Sequence, residues 1–380
     1  MRIAYDISQT GKDKAGCGYF AYSLIRALSN VDLQNEYLLL NSFGEFIWDR
    51  KATPAACGIQ RSNVRLGLSH ANRLAARRFW HNPPPDVDAA LGNPDIVHSN
   101  NFFCPTGLQR AHLIYTLYDL SFIEHPEWTT ELNRTLCFDG VYHASLYANT
   151  ILAISEYSRA HFLRTFPRYP PENVRVVYPA SRYTYFAGLK RPSLSKLPRR
   201  VGEGKFWLCV GTLEPRKNHL GLLKAYARHK AEFGKPFPLV HAGGPGWLMN
   251  DFKDQIRKLN LQDDVILLGY VDDAVLQWLY QNCFAFVYPS FFEGFGLPVL
   301  EAMSLGAAVI ASNTTSIPEI VGGAGILVDP SQVDQIASAM DELAGDEKRL
   351  IELRFAARQR AALFSWQRAA RETINLYSRK

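Results

Sequence analysis

The feature that most constrains this chain is an alternation that occurs twice. Short runs rich in β-branched and aromatic residues are separated by longer stretches of helical spacing, which is the pattern of a parallel sheet covered by helices. A first set of strands is expected at 3–7, 37–40, 96–98, 113–116, 151–154 and 174–177, with helices such as 19–28 and 156–166 between them. A second set is expected at 206–210, 239–242, 265–268, 284–287, 308–311 and 325–328. The stretch 188–204 carries Pro, Gly and Lys/Arg that suit neither sheet and reads as an exposed linker. The expectation is an α/β chain of two Rossmann-like domains, 1–187 and 205–362, facing each other across a cleft. A length of 380 residues accommodates two domains at ~150 residues each. Ligands of such folds sit at the carboxyl ends of the strands.

Composition removes several other classes. Hydrophobic residues are 47% and charged residues 21%, with Gly and Pro scattered, so disordered and collagenous chains are excluded. The longest apolar runs, such as 150–154 and 283–288, fall far short of the ~20 residues of a membrane span. The opening Met-Arg-Ile-Ala-Tyr-Asp-Ile lacks the apolar core of a signal peptide, so a cytoplasmic chain is expected. Six dispersed cysteines (Cys17, Cys57, Cys104, Cys137, Cys209, Cys283) form no Cys-x-x-Cys pair, which indicates neither zinc nor a disulfide framework. Asp86-Val-Asp88 follows three prolines without a strand pattern and reads as a solvated loop rather than a metal site.

Charge is uneven. Residues 1–200 carry 23 Lys+Arg against 16 Asp+Glu, and 201–380 carry 19 against 20, which points to an anionic partner for the first half, a phosphorylated substrate or a lipid surface. Arg61, Arg65, Arg73, Arg77 and His81 share a four-residue register, with Val64, Leu68, Ala71 and Ala75 on another stripe. Read as a helix over 61–81, this is a basic amphipathic surface for an anionic membrane or a diphosphate-linked lipid, or equally a solvated helix with its apolar side on the core.

Two stretches carry chemistry. Pro289-Ser-Phe-Phe-Glu-Gly-Phe-Gly-Leu-Pro-Val-Leu-Glu-Ala-Met303 is a strand end, a glycine loop and a helix start, whose free amides and positive dipole end suit a diphosphate. Glu293 before the loop and Glu301 inside the helix supply two carboxylates able to accept from sugar hydroxyls; the plainer reading makes Glu293 a loop carboxylate and Glu301 a solvated helix residue. Gly211-Thr-Leu-Glu-Pro-Arg-Lys-Asn218 is again a strand end and a loop, with a helix expected to begin near Asn218. Its Arg216 and Lys217 offer a planar fork and a compact charge that neutralise a leaving diphosphate, or form a basic surface pair.

These residues resemble the retaining glycosyltransferases of family 4, which have the two-Rossmann-domain fold called GT-B, and the resemblance covers most of the chain. The segment Phe292 to Glu301 resembles the family's Glu-x7-Glu element, and Gly211 to Asn218 its Arg-Lys diphosphate grip. Gly16-Cys-Gly18 resembles the N-terminal glycine loop facing the donor phosphates, and Gly269-Tyr-Val271 the segment holding the nucleotide base. Segments 241–247, 153–158 and 318–322 are similar to weaker family elements, and 363–380 to the helix that returns to the N-terminal domain.

The resemblance implies roles. Glu293 meets the donor sugar near the reacting carbon, the amides of Phe295, Gly296 and Leu297 meet sugar and phosphate, and Glu301 binds the ribose. Arg216 and Lys217 stabilise the departing diphosphate, while Gly16, Gly18, Gly211, Thr212, Tyr270 and Val271 line the donor. One position departs from the family: Tyr118 stands where a histidine that touches the sugar is common. Tyr118 is then a sugar contact or a packed aromatic, and Asp119 a sugar ligand or a loop-fixing carboxylate. The implied activity is transfer of a hexose, first mannose from GDP-mannose, to a growing polysaccharide or lipid-linked glycan such as O-antigen. No metal or other cofactor is implied, no nucleic acid is a partner, and the place is the cytoplasm, with peripheral contact to the inner face of an anionic membrane. Alternatives are a UDP-, dTDP- or GDP-deoxy-sugar donor such as one carrying rhamnose, storage-sugar synthesis or phosphorolysis, or a non-catalytic nucleotide-sugar binder. A NAD-dependent dehydrogenase is disfavoured because no Gly-x-Gly-x-x-Gly follows either first strand.

Overall fold

The computed structural model describes residues 1–11, 14, 16–41, 43–44, 58–70, 72–184, 193–234, 236–249 and 251–378. The chain divides into two compact units, one of residues 1–126, 131–179 and 365–380 and one of residues 127–130 and 180–364.

The first unit is built on a seven-stranded, all-parallel sheet of order β3-β2-β1-β4-β5-β6-β7. Its strands are β1 (Arg2–Asp6), β2 (Glu36–Leu40), β3 (Val64–Leu66), β4 (Ile96–Ser99), β5 (His112–Leu117), β6 (Thr150–Ala153) and β7 (Val174–Val176). Central strands such as β4 are buried along their whole length, as strands covered on both faces must be. The helices Gly16–Val31 and Trp366–Tyr377 pack together. Trp366 meets Phe20 edge to face at 5.8 Å, and the Tyr377 hydroxyl lies 2.7 Å from Nδ1 of His98 on β4. The last helix of the chain therefore belongs to the first unit.

The second unit carries a six-stranded parallel sheet of order β10-β9-β8-β11-β12-β13. Its strands are β8 (Trp207–Val210), β9 (Leu239–Ala242), β10 (Val265–Gly269), β11 (Ala285–Tyr288), β12 (Val309–Ser312) and β13 (Ile326–Val328). Trp207, Cys209, Ala285, Val287 and Ile310 meet Leu223, Tyr226, Ile336 and Met340 in one buried core.

Three expectations are corrected. Residues 61–81 do not form one helix. Val64–Leu66 is an edge strand whose Arg65 pairs with Glu36 at 2.6 Å, and the helix is only Arg73–His81, started by the Asn72 side chain accepting from Ala75 N at 2.9 Å. The spacing of four between arginines is thus split between a strand and a helix, and Arg61 turns to Asn30 instead. A charged edge strand is a common guard against edge-to-edge pairing, which explains why its alternation is weak. Ala71 and the Arg73 side chain lie outside the described residues, as does Cys57.

The chain also leaves the first unit at Pro179 rather than at 187, and the described part of the expected linker, 193–204, belongs to the second unit. Gly204 N donates to Asn282 O at 2.8 Å and Val201 is buried. Residues 185–192 lie outside the described residues. Because Arg182, Lys190, Arg191, Lys196, Arg199 and Arg200 follow Pro179, the charge asymmetry shrinks. The first unit holds 21 Lys+Arg against 16 Asp+Glu, and the second 21 against 20. Among the described residues no helix is long and apolar enough to cross a membrane.

Candidate active site

In the second sheet the strand order reverses between β8 and β11, which pair directly through Trp207 with Ala285 and Leu208 with Phe286. The crevice outside the carboxyl ends of the strands at such a reversal is where open α/β sheets bind ligands. Both chemical motifs leave the sheet there. The loop after β8 delivers Arg216 and Lys217, and the loop after β11 delivers Glu293 and the helix Leu297–Ser304.

Glu293 is 5% exposed and lies between the two cations. Lys217 Nζ donates to its Oε1 at 2.6 Å, and Arg216 Nη1 donates to its Oε2 at 3.1 Å. The Tyr288 hydroxyl and the Ser290 hydroxyl also donate to Oε1, at 2.9 and 2.7 Å, and Lys217 donates to the Tyr288 oxygen at 2.7 Å. Burial pushes the Glu293 carboxyl up, but Lys217 and Arg216 outweigh it and hold the pKa down to about 2. Lys217 is shifted down, because burial and the neighbouring Arg216 cation exceed the attraction of Glu293. Glu214, itself buried, takes Arg216 Nε at 2.9 Å and fixes the guanidinium. The basic-surface reading of the Arg-Lys pair is therefore excluded, since Lys217 is 8% exposed and spends its donors inward.

The backbone is shaped to hold this cluster. Asn218 adopts φ 56° and its side chain accepts from Gly221 N, starting the helix His219–Phe233 two residues after Lys217. Gly296 has φ 100° at the cap of Leu297–Ser304, a backbone conformation that favours glycine, and a Cβ there would push against Ile317 Cδ1 at 2.5 Å. Ser316 Oγ donates to the carbonyls of Glu293 and Phe295, both at 2.9 Å, which pins the loop ahead of the helix. Phe295 is buried at its side chain, against Phe364.

Glu301 is 5% exposed, so it is not a solvated helix residue. Its Oε1 lies 2.9 Å from Arg182 Nε, and its Oε2 receives Arg182 Nη2 and the Tyr280 hydroxyl, each at 3.3 Å. Burial raises its pKa, and Arg182 counters only part of that rise. Arg182 was not legible in the sequence, where it is one cation beyond the last strand of the first sheet with no spacing to mark it. Tyr288 and Ser290 were likewise unmarked, although both border the glycine motif. Gly269, φ 66°, turns the chain after β10, and Tyr270 beyond it is 68% exposed while Val271 is half-buried. Thr212 presents its carbonyl to His219 Nε2 at 3.1 Å, which braces the Gly211–Thr212 turn.

The first unit places its residues at the same end of its own sheet. Gly18 lies in the first turn of Gly16–Val31, where a Cβ would meet Gln9 O at 2.1 Å, so the loop after β1 and the helix approach more closely than any side chain allows. Tyr118 is 7% exposed, and its hydroxyl reaches Asn100 O at 2.7 Å and Cys17 O at 3.2 Å, between Phe20 and Phe102. This is the packed-aromatic alternative, with the phenol proton spent on the backbone. Asp119 accepts from Ser121 N and Oγ at 2.9 and 2.7 Å, the geometry of a loop-fixing carboxylate. Asp88 is buried rather than solvated and accepts from the amides of Gln109 and Ala111 at 2.7 and 2.8 Å, while Asp86 caps Val87–Ala90 and pairs with Arg110.

With that geometry established, similarity to known proteins is specific. Residues 191–361 match the family described as Glycosyl transferases group 1. Over 385 aligned residues, covering 99% of both chains, this sequence is 37% identical to the O-antigen chain mannosyltransferase B of Escherichia coli. Among solved structures it resembles HepE of Anabaena in complex with UDP-glucose, with TM-score 0.73 at 19% identity over 100% of this chain and 99% of that one. It also resembles the sucrose-phosphate synthase of Thermosynechococcus elongatus, with TM-score 0.72 at 19% identity over 99% and 98%. Two parallel Rossmann-like sheets, the paired loops after β8 and β11, and full-length likeness to a curated relative together make this chain a member of the group 1 glycosyltransferases, with the GT-B fold.

Proposed function

We propose that the second unit binds a nucleotide-sugar donor and that the protein transfers mannose, first from GDP-mannose, to a hydroxyl of a growing polysaccharide or lipid-linked glycan. The observation that carries this reading is the buried Arg216–Lys217–Glu293 cluster at the strand-order reversal, beside a helix start that suits phosphate. Mannose as the sugar is supported by the full-length relative that bears the name O-antigen chain mannosyltransferase.

In this reading the diphosphate meets Arg216 and the one N–H of Lys217 not given to Glu293 or Tyr288. Glu293, kept ionised by its two cations, accepts from donor-sugar hydroxyls, the Phe295, Gly296 and Leu297 amides meet sugar and phosphate, and Glu301 accepts from the ribose. Gly211, Thr212, Tyr270 and Val271 line the nucleotide. The acceptor oxygen bonds to the anomeric carbon as the bond from that carbon to the diphosphate breaks. The acceptor proton passes to the leaving phosphate oxygen on the same face, so configuration is retained. Catalysis is then positioning and charge stabilisation, with two side-chain cations in the role a metal plays elsewhere. The excess of cations in the first unit and the exposed Arg77 and Arg78 support a peripheral contact with an anionic membrane where the acceptor is held.

The test is transfer and slow hydrolysis across GDP-mannose, UDP-, dTDP- and GDP-deoxy-sugars, with Arg216→Ala and Lys217→Ala beside the wild type. Turnover should fall by ~10² or more in each variant, with the fold retained and EDTA without effect. A protein that binds these donors but turns over none is a nucleotide-sugar binder, and activity restored only by Mn²⁺ after EDTA would overturn the metal-free reading.

A further inference from the structure

Arg182 lies in a short turn, Arg182–Thr184, that is fastened along the helix Leu297–Ser304. Ser304 Oγ donates to Ser181 Oγ at 2.8 Å, and one turn earlier Arg182 Nη2 donates to Glu301 Oε2 at 3.3 Å, with Nε in ion-pair contact 2.9 Å from Oε1. The remaining edge of the guanidinium reaches Asp273 Oδ1 at 3.0 Å, at the start of the helix Asp273–Asn282, two residues beyond Val271. The side chain is 11% exposed, and the Tyr183 ring lies 5.1 Å from its charge. One cation thus ties the carboxylate on one helix to the beginning of the helix that follows Gly269, Tyr270 and Val271.

We propose that Arg182 is the positioning residue of the nucleoside site, setting the orientation and ionisation of Glu301 for a ribose hydroxyl. This rests on the reading that Glu301 meets the ribose. A carboxylate offers about four acceptor sites on its two oxygens. Arg182 Nη2 and the Tyr280 hydroxyl each take one on Oε2, while Arg182 Nε, 2.9 Å from Oε1, makes an ion-pair contact without hydrogen-bond geometry, so the capacity left over lies on Oε1. The bond from Nη2 and the close cation at Nε hold the carboxylate against the turn, which orients Oε1. The cation also keeps the group charged in a place where burial favours the acid. The charged and titratable groups facing Glu301 are Arg182 and Tyr183 from the turn, and Asp273 and Tyr280 from the helix Asp273–Asn282. The helix Glu347–Ala361, also packed on Leu297–Ser304, sets its Arg358 against Gly306 instead. With Arg182 gone, Asp273 and burial both oppose the charge on Glu301, and nothing in this group supports it except the Tyr280 hydroxyl. A protonated Glu301 loses acceptor capacity, so nucleotide affinity falls as pH falls.

The experiment measures binding of GDP and of UDP by calorimetry between about pH 5.5 and 8.5, on the full chain, for wild type, Arg182→Gln, Arg182→Lys, Glu301→Gln and the Arg182→Gln/Glu301→Gln double variant. Arg182→Gln should bind the preferred nucleotide about 10- to 100-fold more weakly at the acidic end, recovering as pH rises. Arg182→Lys, which keeps the charge but not the planar guanidinium that spans Glu301 and Asp273, should be weaker by a similar factor at every pH without the steep acidic loss. In the Glu301→Gln background the loss of Arg182 should leave the pH profile flat, a result that a purely structural arginine would not produce. Equal affinity and equal pH profile in Arg182→Gln and wild type overturn the proposal. If Arg182→Gln does not fold, wild-type affinity in Arg182→Lys overturns it. Wild type that binds neither nucleotide, or Glu301→Gln that binds like wild type, instead removes the nucleotide or ribose reading on which it rests.

Discussion

Replacing Glu293 with glutamine separates the electrostatic contribution of the site to folding from its contribution to transfer. The Glu293 carboxyl ionises at about 2 in the folded chain against 4.5 for the unperturbed group. That difference corresponds to roughly 3 kcal/mol of stability favouring the ionised, folded form. The group is buried, so solvent screening takes little of it. Because the folded pKa is depressed, the contribution is complete above about pH 4.5, drains as the unfolded chain takes up its proton first, and is gone below about pH 2. By roughly pH 3.5 about 1 kcal/mol of it is lost. Glu293→Gln keeps the shape and the hydrogen-bonding capacity on one side but has no titration. Urea unfolding of both proteins should therefore show wild type more stable by roughly 3 kcal/mol near neutral pH, with the gap about 1 kcal/mol smaller at about pH 3.5. A gap that stays constant across that range would show that Lys217 and Arg216 do not hold the carboxylate, and the clustering argument would fail with it.

Tyr118→Phe should lower stability by ~1–3 kcal/mol, because Asn100 O loses its buried donor, while turnover changes by less than about 3-fold; a collapse of turnover at unchanged stability would make the phenol a sugar contact. Gly296→Ala should cost more than ~1 kcal/mol in unfolding experiments, since its φ is 100° and the new methyl group meets Ile317, and a variant as stable as wild type would refute the left-handed cap. Binding to vesicles containing anionic lipid should be measurable at low salt, fade near the ~8 Å Debye length of physiological salt, and weaken in Arg77→Glu/Arg78→Glu. Equal binding to neutral vesicles would sink the electrostatic contact and leave the transferase reading untouched.

The strands and the two glycine-bearing motifs were legible because they are local: hydrophobic alternation, a glycine that turns the chain and a proline at a helix start act over a few residues, and each is written in consecutive letters. So Lys217 and Glu293 could be named as candidates from their own surroundings. What no local rule contains is that β8 and β11 are neighbours, which brings residues 76 positions apart to 2.6 Å. Burial of both then converts an ordinary doublet of cations and a loop glutamate into a cluster that keeps its charge out of water. The register from Arg61 to His81 failed for the converse reason. Spacing records periodicity, and a three-residue edge strand beside β2 overrode it once Tyr37 and Glu36 were in place to pair with it. Arg182 is the extreme case. Alone in sequence it is one arginine among many, and its significance comes from folding that sets it between Glu301 and Asp273, whose charges meet only in the tertiary structure.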